Sequence, residues 1–326
     1  MPHFASRCLI PRFPVRCFRP VGIERCVGAP RAWFRRSSSC APCAALTVMD
    51  HLLVALVLFS ALLHAVWNAF LHVSEDRVVQ LGTMAIPYLA AGAAGALWLP
   101  PPAPGAWPYI AASALLELGY CLALLRAYRS GEFSQIYPIA RGSSPLLVAL
   151  LALPALGERP SAWGLAGIAL VSLGIMSLAL RRGLRLSGES VPYAVLTGVF
   201  IAAYSVVDGI GVRLAGNSLS YICWVYLLWN LPQFALVCAL RGGPRPLLAS
   251  RAALWRGVGA GTCALGAYAI VTLAYRHLPV ATVSALRETS SIFAIGIGWF
   301  AMRERPTARR LAACVMVVAG AVLIRM

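Results

Sequence analysis

Two arginines, Arg141 and Arg287, stand inside otherwise apolar stretches of this chain, 146 residues apart. The same interval separates Glu158-Arg159-Pro160 from Glu304-Arg305-Pro306, and Gly174 from Gly320. His64, Glu117, Asp208 and Glu288 are further ionisable residues in apolar company. A charge near the middle of a bilayer costs about 2.5–3.5 kcal/mol on insertion scales, so each of these groups needs a reason. One reason is recognition, because a guanidinium fork donates two parallel hydrogen bonds to a carboxylate or phosphate. Another is proton relay by Glu117, Asp208 or Glu288. The structural alternative pairs Glu117 with Arg141, and Arg287 with Asp208 or a backbone carbonyl. Adjacent Arg287 and Glu288 leave a helix in different directions and are not expected to cancel each other.

Helical spacing groups the ionisable residues with other polar side chains. His64, Trp67 and Asn68 share a face at i, i+3 and i+4, and Glu117, Tyr120 and Leu124 share one at i, i+3 and i+7. Tyr137 precedes Arg141 by one turn, and Tyr204 precedes Asp208 in the same way. Tyr268, Thr272 and Tyr275 form one stripe; Ser284, Arg287, Glu288 and Ser291 form another. The expected site is a polar cavity lined by His64, Trp67, Asn68, Glu117, Tyr120, Arg141, Asp208, Tyr268, Arg287, Glu288 and Ser291. For His64, a ligand contact and a hydrogen-bonded packing role stand open together. Trp224, Tyr226 and Trp229 are expected to pack between helices or sit at headgroup level rather than stack on a substrate, and Trp98, Trp107 and Trp255 to anchor span ends. The Glu-Arg pair of each "ERP" is expected to be a structural clasp at a span end. Ala91/Gly95, Gly92/Ala96 and Gly164/Gly167 are expected as small contacts for close helix packing.

The elements that must hold these faces are long apolar runs. Hydrophobic residues make up 60% of the chain and charged residues 12%, against roughly a quarter in soluble domains. Ten runs of about 20 residues follow one another, the length that crosses a bilayer as a helix. They cover 51–72, 78–99, 106–128, 133–153, 161–180, 191–214, 219–240, 256–276, 280–302 and 308–325. The expected fold is therefore all-α and integral to the membrane. Ten transmembrane helices form two five-helix repeats, 49–183 and 191–326, joined by a linker at 184–190. Five is odd, so the second copy enters the bilayer upside down relative to the first.

Every basic residue is arginine, which suggests a GC-rich, bacterial coding sequence and an inner (plasma) membrane location. The net charge of +17 lies partly in residues 1–48, which hold eight arginines and one acid. That leader is expected to stand outside the fold, as an over-extended start before Met49, a targeting peptide or a disordered basic tail. Cys40 and Cys43 have metal-ligand spacing but lack a second pair, so no metal is expected. Between the runs, alternate loops carry 14 arginines against four on the opposite face. This bias places both termini outside if residues 1–48 are discounted. Arginine at headgroup level suits a lipid bilayer as partner, and nucleic acid is not expected.

Three segments carry a family resemblance: SALLHAVWNAFLH at 60–72, the R…P…ERP…G pattern of runs four and five, and VSALRETSSIFAIGIGWFAMRERP at 283–306. Together they resemble the EamA family of the drug/metabolite transporter superfamily, over about residues 51–325. The resemblance implies ten helices in two inverted repeats and secondary transport of a small metabolite, often export. Members of that family handle amino acids, nucleotide sugars, sugar phosphates and drugs, so it implies no particular substrate. The expected function is alternating-access transport driven by a proton gradient or by substrate exchange. No cofactor is expected, and the monomer and the homodimer both stay open. The rivals are an integral-membrane enzyme acting on lipid and a non-transporting membrane partner. No HExxH pair, Gly-x-Ser-x-Gly elbow or P-loop appears to support an enzyme or an ATP-driven pump. A chain begun at Met49 should insert and transport as the full chain does; loss of transport on that truncation would make the leader part of the machinery.

Overall fold

The structure, a computed structural model, describes residues 41–130, 133–179, 190–301, 303 and 306–326. Among them all repeating secondary structure is helical. The helices are α1 (Ala41–His72), α2 (Arg77–Trp98), α3 (Trp107–Ser130), α4 (Phe133–Leu156), α5 (Ala162–Ser177), α6 (Ser190–Leu214) and α7 (Ser218–Leu240). There follow α8 (Arg245–Leu248), α9 (Arg251–Tyr275), α10 (Val280–Arg287), α11 (Ser290–Phe300) and α12 (Ala308–Leu323). Eight helical spans, with α10 and α11 counted together, are long and apolar enough to cross a membrane. α5 is apolar but has only 16 residues, about 24 Å of helix against a hydrocarbon core of about 30 Å.

Short polar residues start these helices. Asp76, Ser161, Asn217, Ser250 and Thr307 each accept a hydrogen bond from an otherwise orphaned N–H of the first turn. Such capping marks boundaries that hydropathy blurs. α9 begins at Arg251, five residues before the expected run, because Ser250 caps it. α1 begins at Ala41, inside the segment expected to lie outside the fold. Residues 1–40 and 180–189, the latter including all but the last residue of the expected 184–190 linker, lie outside the described residues.

By contact the chain divides into Met1–Leu53 and Val54–Met326. Within the larger unit, buried residues of α2, α4, α6, α7, α9 and α10 form the main core. α6 is its axis, packing on α3, α4, α9 and α10. α2 lies along α7 and α5 along α12. Small residues set both approaches. A Cβ on Gly167 would lie 2.6 Å from the Gly320 carbonyl oxygen, and one on Gly174 would lie 3.3 Å from that of Ala313. Ascending α5 therefore meets descending α12, so the two are antiparallel. Gly82 abuts Val237 and Gly95 abuts Cys223, so α2 and α7 are antiparallel as well. Of the small residues singled out from the sequence, Gly92, Gly95 and Gly167 make such contacts. Gly164 does not, since it faces only its own cap at Ser161 and Pro160.

Without a hydrophobic force between helices in lipid, these close approaches carry much of the packing. Gly167→Val should cost about 1–3 kcal/mol, the range for overpacking a tight contact. It is to be read as a lowered melting temperature in detergent. Gly259→Ala, where a Cβ meets nothing within 4 Å, should leave the melting temperature unchanged.

Candidate functional site

The expected ninth span is two helices. α10 ends at Arg287, and α11 starts at Ser290. Between them the chain tightens to i→i−3 bonding: Glu288 N–H donates to Ala285 at 3.1 Å, Thr289 to Leu286 at 3.1 Å, Ser291 to Glu288 at 3.1 Å and Ile292 to Thr289 at 2.9 Å. Arg-Glu-Thr-Ser-Ser explains the change locally. Thr and Ser hydroxyls compete with N–H groups for helix carbonyls. Thr289 Oγ1 donates to the Leu286 carbonyl at 2.7 Å and Ser291 Oγ to that of Glu288 at 2.9 Å. Ser291, expected to line the cavity, donates its hydroxyl hydrogen to its own helix backbone.

This interruption carries the densest charge in the bundle. Arg141 Nη2 of α4 stands 3.0 Å from Glu288 Oε1, and Arg287 Nε stands 3.9 Å from the same oxygen. Arg141, Arg287 and Glu288 are all buried, at 4%, 7% and 1% exposure. Arg141 and Glu288 form a buried ion pair, with Arg287 the more distant cation. Arg141 Nε and Nη2, Arg287 Nε and Nη2, and Glu288 Oε1 have no hydrogen-bond partner among the described residues. The geometry corrects the expected pairings. The counter-ion of Arg141 is Glu288, not Glu117. Arg287 and Glu288 do approach each other, because the long arginine arm closes the angle that the helix opens. Tyr204 and Tyr275 lie within electrostatic reach of the Arg287 guanidinium, and Tyr137 lies within reach of both arginines and Glu288.

The other expected residues fall into two groups. His64 is half-buried on α1, within electrostatic reach of Arg141 and Arg287. Its Nδ1 accepts from Trp67 Nε1 at 3.2 Å, with the rings edge to face at 4.9 Å. Asn68 donates back to the His64 carbonyl at 2.7 Å. Glu117 is 2% exposed and within electrostatic reach of Arg287 and Asp208, with no ion pair inside 4.0 Å among the described residues. Tyr120 stands edge-on to Tyr204 at 6.2 Å.

Asp208 belongs to a second, fully paired group. Its carboxylate accepts from Tyr221 at 2.9 Å and Tyr268 at 2.7 Å. It is therefore held by two phenols rather than by Arg287. Tyr268 leans on Tyr226 and Trp229, and Tyr226 meets Tyr88 edge to face at 4.9 Å. Trp224 packs on Trp107 at 4.9 Å. Trp107 is thus a packing residue, not the interfacial anchor expected, while Trp98 and Trp255 are exposed as anchors should be. Tyr221 was not among the expected site residues. It lies 13 positions beyond Asp208, across the turn into α7, where helical spacing carries no signal.

The arrangement can bind an anionic or hydrogen-bond-accepting group through those guanidinium N–H groups that find no well-aligned acceptor among the described residues. An unmade buried hydrogen bond costs about 1–3 kcal/mol, more for a charged group, so the cluster favours any ligand able to fill it. The charges are also interdependent. Glu288→Leu should destabilise by about 3–5 kcal/mol, because it strands Arg141 as a buried, uncompensated charge. Arg141→Leu combined with Glu288→Leu should recover much of that loss in the same thermal unfolding assay. A double variant no better than the single would show that the two residues do not act as a pair.

Residues 189–326 match the family model described as the EamA-like transporter family. No curated protein matches this chain. A solved structure titled only "Crystal structure of protein" is similar with a TM-score of 0.65 at 19% identity, over 83% of this chain and 94% of its own. That likeness is one of fold alone. The described helices are those of an all-α integral membrane protein, and its second half, residues 189–326, is similar to the EamA-like transporter family.

Proposed function

We propose that this protein is a secondary carrier that exports a small polar or amphipathic metabolite by alternating access. The Arg141–Glu288–Arg287 cluster is the substrate seat, and His64, Glu117 and the surrounding tyrosines complete it. One observation carries this reading: charged groups buried at an interrupted span, with guanidinium N–H groups left over. Carriers commonly bind at such interruptions, where backbone irregularity is tolerated because it lines a binding site. The buried positions of Arg141, Arg287 and Glu288 correspond to a closed conformation of that seat.

The carrier consists of ten spans in two inverted repeats. The helix pairs support this arrangement. The 146-residue offset carries Gly167 to Ala313 and Gly174 to Gly320. The contact of Gly167 with Gly320 thereby becomes that of Ala313 with Gly174, which is also made. An offset of 141–142, from the ends of α2 and α7, exchanges Gly82–Val237 with Cys223–Gly95 in the same way. Equivalent helices that pack antiparallel on one another are what a two-fold axis in the membrane plane produces. The arginine-rich loops face the cytoplasm of a bacterial inner membrane, and a proton gradient or exchange of substrates drives the cycle.

The test is transport into proteoliposomes, with ligands first found by thermal shift against amino acids, phosphonates, nucleosides and cationic drugs. Uptake should be saturable and sensitive to an imposed gradient. Arg287→Ala should lower it at least tenfold while membrane insertion and monodispersity persist. Arg287→Lys should restore only part, since an ammonium lacks the planar fork. Undiminished transport by Arg287→Ala would reduce that arginine to a packing role.

A further inference from the structure

One ion pair lies far from this seat yet is joined to it by a single short helix. Glu158, in the turn between α4 and α5, accepts from Arg213 Nη2 at 2.9 Å through Oε1. Through Oε2 it accepts from the backbone N–H of Val280 at 2.8 Å. Arg213, at the end of α6, also donates from Nε to the Tyr275 carbonyl at 2.9 Å and from Nη2 to that of Leu278 at 3.3 Å. The partner of Glu158 is thus Arg213, not its neighbour Arg159 as the sequence suggested; the second "ERP" lies largely outside the described residues. One carboxylate and one guanidinium tie together the α4–α5 turn, the end of α6 and the α9–α10 connection.

Val280 is the first residue of α10, which lacks a side-chain cap of its own because Pro279 precedes it. A carboxylate on that N-terminal N–H satisfies an orphan donor and the helix dipole at once. Val280 is fully buried, pressed against α6 where a Cβ on Gly209 would lie 2.5 Å from its Cγ2. Seven residues on, about 10 Å along the axis, the same helix ends in Arg287 and is capped by Glu288. α10 is therefore held at one end by Glu158 and at the other by Arg141.

The opposite end of the bundle is closed differently. α7 separates the two ends, since Arg213 precedes it and Arg241 follows it. At the far end Arg241 Nη2 meets Asp76 Oδ1 at 2.6 Å, with side chains 37% and 42% exposed. The Glu158 and Arg213 side chains are 12% and 31% exposed. The Glu158 clasp is the drier of the two and engages three backbone groups besides.

We infer that Glu158 is a positioning residue for transport: with Arg213 it latches one face shut, and α10 transmits the state of that latch to Arg287 and Glu288. This rests on the alternating-access reading. Breaking the latch frees the N-terminal end of α10 and opens the seat from that face alone. Filling the seat alters the hold of Arg141 on the other end of α10 and so biases the latch, since coupling between two sites is reciprocal.

The test needs no substrate. A single cysteine at Ser284, buried on α10, is placed in the full chain with its native cysteines replaced. The protein is reconstituted in vesicles and labelled with a membrane-impermeant methanethiosulfonate from each face in turn. E158Q should raise the labelling rate at least tenfold from the Glu158 face and leave the other face unchanged, while D76N does the reverse. E288Q should raise labelling of a cysteine at Leu278, beside the latch, by several-fold, and less than additively with E158Q. A role confined to local stability would not move the Leu278 reporter from the distant site. Should E158Q not fold, E158D, which withdraws the charge by one methylene, carries the same expectation. Opening by D76N with none by E158Q overturns the latch and leaves alternating access standing. No opening of either face by either variant removes both. An unmoved Leu278 reporter in E288Q overturns transmission through α10.

Discussion

A guanidinium does not lose its charge at any ordinary pH, so an arginine in a membrane bundle must be surrounded by groups that answer it. Much of this protein is arranged around that demand. Arg141 and Arg287 reach the same carboxylate, Glu288, from different helices. The ninth span is interrupted at that carboxylate. Tyr137, Tyr204 and Tyr275 supply phenol oxygens nearby. Two cations sharing one anion leave a positive excess and unmatched N–H groups. Such an arrangement holds the helices together while remaining receptive to an added acceptor.

The second carboxylate on the polar faces has been dealt with in the opposite way. Asp208 receives two phenol hydrogen bonds and is fully buried. Charge-assisted bonds of this kind are strong and directional, and they draw α6, α7 and α9 together. The bundle thus contains one satisfied polar centre beside an unsatisfied one. The satisfied centre is suited to rigidity. The other is suited to exchange of partners, because little hydrogen bonding is lost when a ligand enters.

Helix packing gives these centres their common frame. α5 and α12 are short and joined through glycine, while α2 and α7 meet through small residues along their length. Close backbone approach in lipid rewards contact that bulky side chains prevent. α6 takes no part in these equivalent pairs and instead lies against α3, α4, α9 and α10. It is the element from which both Asp208 and Arg213 project, so the paired centre and the terminal clasp share one helix.

Helix class and the positions of the eight helices long and apolar enough to cross a membrane were legible in the amino-acid sequence, because bilayer thickness and the 3.6-residue turn act locally. The ten expected runs agree with the helices to within a few residues at most ends, and the repeat located Arg141 and Arg287. Pairings were not legible. That Arg141 answers Glu288, that Tyr221 and Tyr268 hold Asp208, and that Glu158 reaches Arg213 and Val280 all depend on which helices become neighbours. Local periodicity says which way a side chain points from its own axis and nothing about what stands opposite. The break at Glu288–Thr289 lies between these cases. Its hydroxyl-rich sequence permits a tighter turn, but an uninterrupted hydropathy run gives no sign of it, and burial against Arg141 places the charge there. Sequence settled what each helix offers to the interior; packing across the bundle settled which offers meet, because contact between distant segments is a property of the folded chain alone.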